Sequence, residues 1–428
     1  MPLKKSRLRP LTLIAAAALG MTVPVSCRPS ASASPLWTAQ SSRSQAPACA
    51  WPVEDSYLTA NSGLPDTAAW YWGQSFAIHQ GTQVVVSGIY PDARFASFTV
   101  YSSSELPFTS NGVASSLSDF QIAPDRGSAN PWRRVAAPGG HFTLKLRMQV
   151  SPGQVNVLPL APAGVNSGVG YLEYRVYLPA SRDASHIALP HITVENRGST
   201  QQLQACTSHT TAIPPPVRHT TTTQATARRT GVPGPLQFFR AAFRTYFPNP
   251  GTAYLLAYTT PPTASQVIVV TGKAPTSPPG AHPSIWPSAR EQVRYWSMCV
   301  NIGEGTDPVV VNHLPDGHTD LGCRADDATK LSVGGTYTYV IGTEAQRASI
   351  ERAPGVTFLP LSRAQPAAPL YLLAMRYTLA NPSFPFAPQN IVQTLSAPAA
   401  ARAMGAYYPH ARLCSLSALS TGGASACG

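Results

Sequence analysis

The sequence predicts a mainly β protein, built as two tandem β-sandwich or jelly-roll-like domains from an internal duplication, with a few short helices. Three observations lead there. The 428 residues include 43 Pro and 31 Gly spread along the chain, which favours short strands joined by turns. Short apolar or alternating runs lie between them, at the length and period of strands. Blocks of sequence also recur in the same order in the two halves.

The recurring blocks justify the elements one by one. Gln83-Val84-Val85-Val86-Ser87-Gly88-Ile89-Tyr90-Pro91 returns as Gln266-Val267-Ile268-Val269-Val270-Thr271-Gly272-Lys273-Ala274-Pro275. The block 94–100 returns as 294–300, and Gly139-Gly140-His141-Phe142-Thr143-Leu144 is echoed by Gly334-Gly335-Thr336-Tyr337-Thr338-Tyr339. Tyr171-Leu172 and Tyr177 match Tyr371-Leu372 and Tyr377, and a Pro-rich insertion at 278–290 sits in the second copy. In an extended chain Arg94, Ala96, Phe98 and Val100 share one face; Phe95, Ser97, Thr99 and Tyr101 share the other.

Domain limits follow from composition. Residues 1–27 read as an export signal, 28–69 as an N-terminal extension, 70–206 as the first sandwich and 252–428 as the second. Between the sandwiches, 207–235 is a Thr/Pro-rich linker. Residues 236–251 carry Leu236, Phe239, Phe243, Tyr246 and Phe247 at helical spacing, which predicts an amphipathic helix covering a sheet.

The export reading starts from Lys4, Lys5, Arg7 and Arg9, followed by an apolar run from Leu11 to Val25. Thr12, Gly20, Thr22 and Pro24 interrupt that run, so a removed signal peptide fits better than a membrane span. Processing is open between lipidation at Cys27 and cleavage at Ala31-Ser32-Ala33. The destination is the cell envelope or the outside of the cell. Seven cysteines become six once Cys27 is lost or lipidated. Spacing suggests Cys49 with Cys206, Cys299 with Cys323 and Cys414 with Cys427, as disulfides outside the cytosol. No CxxC occurs and no Cys–His pair has ligand spacing, so neither a metal nor a cofactor is expected.

The formal charge of +12 needs dissection before it implies a partner. Four basic residues fall in the signal region and six in 197–247, neither stretch holding an acid, which leaves the remainder nearly neutral. A nucleic-acid surface is therefore not expected, and membrane contact is expected only through a lipid anchor. The oligomeric state is not legible.

Candidate site residues come from repeated or clustered side chains. Arg94 and Arg294 recur at one position of an otherwise apolar strand. Such a guanidinium either pairs with a carboxylate, with Asp92, Asp119 and Asp125 nearby in sequence, or marks an anion site. Tyr101 and Trp296 belong to aromatic clusters that either fill cores or stack on sugar rings. Asp125 and Asn130 lie in a loop, Asp125-Arg126-Gly127-Ser128-Ala129-Asn130-Pro131, explained by turn formation or by ligand contact. No G-x-S-x-G, H-E-x-x-H or P-loop motif occurs, so no catalytic residue is named.

Several of these segments also resemble a family. Leu64-Pro65-Asp66-Thr67, Tyr90-Pro91-Asp92-Ala93-Arg94-Phe95-x-Ser97-Phe98 and Asp119-x-x-Ile122-x-Pro124-Asp125-x-Gly127-Ser128-x-Asn130-Pro131 are similar to an exported bacterial family of unknown function. So are Gly170-Tyr171-x-x-Tyr174-Arg175-Val176-Tyr177-Leu178-Pro179, Tyr295-Trp296-Ser297-x-Cys299 and Tyr407-Tyr408-Pro409-His410-Ala411-Arg412. The resemblance spans nearly all of the mature chain. It implies export and tandem jelly-roll-like domains, and supplies no catalytic residues. The chain departs from the pattern at Gly251-Thr252, after Asn249-Pro250, where Asp-Asn is expected, and near Ala68-Ala69, where Trp-rich positions replace an Asn.

Three functions remain in play. The repeated Arg and clustered aromatics favour a binding protein for a carbohydrate or other small organic ligand. An extracellular hydrolase, lyase or isomerase needs distant titratable groups brought together by the fold. A structural envelope or assembly component would associate through sheet edges.

Overall fold

A computed structural model describes residues 49–209, 234–240, 247–366 and 368–427. The expected export signal with Cys27, and most of the expected linker, lie outside the described residues. In the first half, β1 (Val53–Asp55), β2 (Ala69–Ile78), β3 (Thr82–Ile89), β4 (Ala93–Tyr101), β5 (Thr109–Ser110) and β6 (Val113–Ala114) come first. They are followed by β7 (Ser116–Ser118), β8 (His141–Arg147), β9 (Val157–Pro159), β10 (Gly168–Pro179), β11 (His191–Asn196) and β12 (Ser199–Gln202). One main sheet runs β1-β2-β10-β4-β7 and the other β12-β11-β3-β8-β9.

The second half follows the same plan. It contains β13 (Phe239–Arg240), β14 (Thr252–Thr259), β15 (Gln266–Lys273), β16 (Val293–Ile302), β17 (Val311–His313) and β18 (Thr319–Leu321). After these come β19 (Cys323–Ala325), β20 (Thr336–Gly342), β21 (Thr357–Pro360), β22 (Tyr371–Ala380) and β23 (His410–Ser415). Its sheets run β13-β14-β22-β16-β19 and β21-β20-β15-β23. Each half pairs one short strand in parallel at a sheet edge, β9 on β8 and β21 on β20, in otherwise antiparallel sheets. Mainly β architecture with few short helices is therefore the fold, as the punctuation and strand periods predict.

Each half closes its own core. Val84, Val86, Phe98, Val100, Leu144, Leu146 and Leu172 interlock in the first. Ile268, Val270, Met298, Val300, Tyr339, Ile341 and Leu373 do so in the second. β4 and β16 are buried at every position, which one core cannot explain. Their second faces pack on each other across the halves, where Ala69, Phe95 and Tyr177 meet Tyr295 and Ala325. The Tyr177 and Tyr295 rings approach edge-on at 5.4 Å. Any polar group on these inner faces is out of water and must find a partner there.

Three details differ from expectation or refine it. Residues 53–55, placed in the N-terminal extension, contribute β1 to the first sheet. The amphipathic helix over 236–251 is not formed where it is described: Phe239 and Arg240 pair with Leu256 and Leu255 as a strand. Phe238 packs into the second core while Phe239 packs on the opposite side of the sheet, a period of two that a helix cannot supply. Residues 241–246 of that expected helix lie outside the described residues. In the ladders, Arg175 faces Tyr71 and Ser97, and Arg376 faces Tyr254 and Ser297. Taking Ser97 with Ser297, Arg175 thus corresponds to Arg376, one residue away from the Tyr171–Tyr371 match read from sequence.

Disulfides join Cys49–Cys206, Cys299–Cys323 and Cys414–Cys427, the pairs that spacing suggests. They are compatible with an exported protein. No helix among the described residues is long and apolar enough to cross a membrane.

Candidate functional site

The repeated arginines form a reciprocal clasp between the halves. Arg94 reaches across to Asp326 at 2.8 Å, while Arg294 reaches back to Asp119 at 3.4 Å. Each guanidinium also donates to the other arginine's backbone carbonyl, at 3.2 and 3.1 Å. Asp326 was not among the sequence neighbours proposed for Arg94, because its closeness exists only once the halves dock. Both arginines are completely buried. Burial pushes Asp119 up to about 6 and Arg294 down to about 10, each shift opposed by the other's charge. These groups hold the halves together.

The other sequence candidates scatter. Asn130, also buried, donates to the carbonyls of Asp119 and Ile122 and accepts from the Trp132 N–H, so it braces the turn carrying Asp119. Asp125 accepts from the Thr143 hydroxyl of β8 at 3.0 Å. Trp296 fills the second core against Tyr337, their ring centres 5.6 Å apart. Tyr101 touches two residues that line a cavity: its hydroxyl accepts from Arg175 and donates to the Phe247 carbonyl at 3.0 Å.

That cavity, of about 60 Å³, opens above β1, β2 and β10, against residues from the second half. Alternation along β10 puts Tyr171, Glu173, Arg175 and Tyr177 on the cavity face, with Leu172, Tyr174 and Val176 turned into the core. β1 adds Val53 and Asp55, β2 adds Tyr71, and Phe247, Asn249 and Tyr254 close it from the other side. Gly73 sits opposite Glu173 in the ladder. A Cβ there would lie 1.7 Å from the Tyr171 hydroxyl, so the missing side chain is what lets this phenol lie flat over the sheet.

Charge inside the cavity is concentrated on three groups. Arg175 pairs with Glu173 at 2.9 Å, donates to the Phe247 carbonyl at 2.6 Å, and stands 5.9 Å from the Tyr71 ring centre. Burial disfavours the cation, but Glu173 and the tyrosines more than offset this and keep it protonated. Glu173 is pushed up to about 7 by burial, against the pull of Arg175. Asp55 also rises to about 7, through burial and then through the Glu173 charge. Among the described residues, Asp55 Oδ1 and Asn249 Nδ2 are buried atoms without a hydrogen-bond partner.

The corresponding place in the second half is closed. Asp66 crosses over from the first half to pair with Arg376 at 2.7 Å, and also accepts from the Tyr295 and Ser297 hydroxyls at 2.8 and 2.7 Å. The segment Leu64-Pro65-Asp66 is the counterpart of Phe247-Pro248-Asn249. Leu64 and Phe247 both have positive φ, and their carbonyls accept from Arg376 and Arg175 respectively. Asp66 and Asn249 each accept from the backbone N–H two residues on, at 3.0 and 2.9 Å. Beneath them, Gly73, Thr99, Tyr171 and Glu173 of the first half stand where the second has Leu256, Cys299, Leu372 and Ala374. Those four pack in an apolar cluster.

Asp66, Cys299 and Cys323 bring their ligand-type atoms close together, yet both sulfurs are in a disulfide and the carboxylate is committed to Arg376. In the acidic segment 313–327, Asp320 pairs with Arg324 and Arg347, and Asp316 pairs with His318. Sequence reading quoted Tyr171 and Arg175 but missed the cavity they line with Asp55, Glu173 and Asn249. The readable signal was the polar face of β10, with Tyr171, Glu173, Arg175 and Tyr177 at every second position.

No family model matches the chain, and no curated protein does. Among solved structures, an uncharacterised protein from Burkholderia cenocepacia is similar at a TM-score of 0.50 and 13% identity. The match covers 86% of this chain and 83% of that one. The VPA0106 protein from Vibrio parahaemolyticus gives a TM-score of 0.42 at 11% identity, covering 81% and 89%. The first likeness concerns the fold alone.

Proposed function

We propose that this is an exported binding protein that holds the end of a carbohydrate or other small organic ligand in the cavity between its halves. We further infer that the halves are copies of one domain, of which the first keeps the site and the second serves as its lid. One observation carries the reading: two buried polar atoms, Asp55 Oδ1 and Asn249 Nδ2, lack a hydrogen-bond partner on residues that line a tyrosine-rich cavity. Most buried polar atoms of proteins are paired, so an unpaired donor and an unpaired acceptor on residues lining one cavity suit a ligand that supplies both. The three disulfides support a place outside the cytosol.

A thermal-shift screen of a small-molecule and glycan library tests this. Hits are expected to stabilise the wild type and not the Glu173→Ala variant. A library with no hits, or hits indifferent to Glu173, overturns the reading.

An extracellular enzyme is the second reading, favoured by the two carboxyls pushed to about 7 in one cavity. That range suits one carboxyl that holds a proton beside one that lacks it. Turnover of chromogenic glycosides or esters, lost in both Asp55→Asn and Glu173→Gln, is the expected outcome if it holds. Absence of turnover leaves binding as the function.

A further inference from the structure

We infer that the cavity selects an uncharged, hydroxyl-bearing ligand group, and that Asn249 sets this selectivity by standing where the other half has Asp66. The inference rests on the reading of the cavity as a ligand site. In the second half the carboxylate at this place takes Arg376 and two hydroxyls, and the side chains beneath it are apolar. In the first half an amide stands there instead. It cannot form an ion pair with Arg175, which turns to Glu173 and the Phe247 carbonyl. The amide nitrogen is left without a partner on a residue only 4% exposed.

Charge complementarity then decides the ligand. An anion entering the cavity would lie against Asp55 and Glu173, and a cation against Arg175, so neither sign is favoured. Hydroxyls suit both open groups, since a hydroxyl oxygen accepts from an amide N–H such as Asn249 Nδ2 and its proton is donated to a carboxylate oxygen such as Asp55 Oδ1. The Tyr71 and Tyr254 side chains in the lining offer apolar ring faces to the C–H groups of a polyol or sugar. A cavity of about 60 Å³ takes the end of such a molecule, with the remainder outside.

The test uses the disulfide-bonded protein and four probes of one shape, D-glucose and myo-inositol against D-glucuronate and D-glucosamine, followed by saturation-transfer NMR and titration calorimetry. At least one neutral probe is expected to bind tenfold or more tighter than either charged one. Asn249→Asp should weaken it at least tenfold. Asn249→Ala, which removes the donor without adding charge, should weaken it several-fold and guards against a fold defect in the Asp variant. Tighter binding of a charged probe, wild-type affinity in both variants, or no binding by any probe overturns the inference. If library hits in the cavity persist while these four probes fail, the ligand-site reading stands and only the selectivity falls.

Discussion

The two halves place an arginine at the same ladder position and treat it in opposite ways. Arg376 meets a carboxylate delivered by the other half, and its surroundings are filled by Leu256, Leu372, Ala374 and a disulfide. Arg175 meets an amide, keeps a carboxylate from its own strand, and borders open space. One architecture therefore gives a sealed ion pair and a cavity, and a few side chains decide which. A site can be made by withholding a partner as well as by adding a ligand group.

The largest expected effect breaks the sealed side. Arg376→Ala leaves Asp66 buried with no cation, and removing one member of a buried pair costs about 3–5 kcal/mol. Arg175→Ala should cost clearly less, because Glu173, already pushed to about 7, can take up a proton instead. Equal losses in urea denaturation would show that the halves do not differ as described.

The clasp between the halves comes next. Arg94→Ala and Asp326→Ala should each destabilise by about 3 kcal/mol, and the double variant by much less than their sum. Additive losses in the cycle would mean that the pair is not coupled.

Gly73 tests why the first half stays open. Gly73→Ala forces Tyr171 off the sheet and should cost about 1–3 kcal/mol, of which Tyr171→Phe in the same chain should recover a part. If the second change recovers nothing, the phenol is not what the glycine accommodates.

A further test is the pH dependence. Asp55 and Glu173 have folded values near 7, above those of an unfolded chain, so the unfolded state loses these protons first as pH rises. Their contribution is fully present below about pH 4 and is lost as pH climbs through 7. The wild type should thus melt higher at pH 5 than at pH 8, and Glu173→Gln should flatten that slope relative to wild type. A slope unchanged by the substitution would remove Glu173 from the account.

The strand content, the matching segments of the two halves and the three disulfide pairings were legible in the residues themselves. Turns and two-residue alternation are local, whereas cysteine spacing only suggested three pairs among the roughly 15 pairings that six cysteines allow, and Cys49–Cys206 spans 157 residues. Arg94 and Arg294 were likewise visible as repeated cations in apolar strands. Their partners were not, because Asp326 and Asp119 become neighbours only when one sheet face meets another. The same reason hid the cavity. Asp55, Glu173 and Asn249 are far apart in sequence and unremarkable singly, and the segment 236–240 mimicked a helix because both faces of its strand are apolar. Sequence determined which strands form and which faces are apolar. Only tertiary docking decided which buried charges find partners, and so which half borders a cavity.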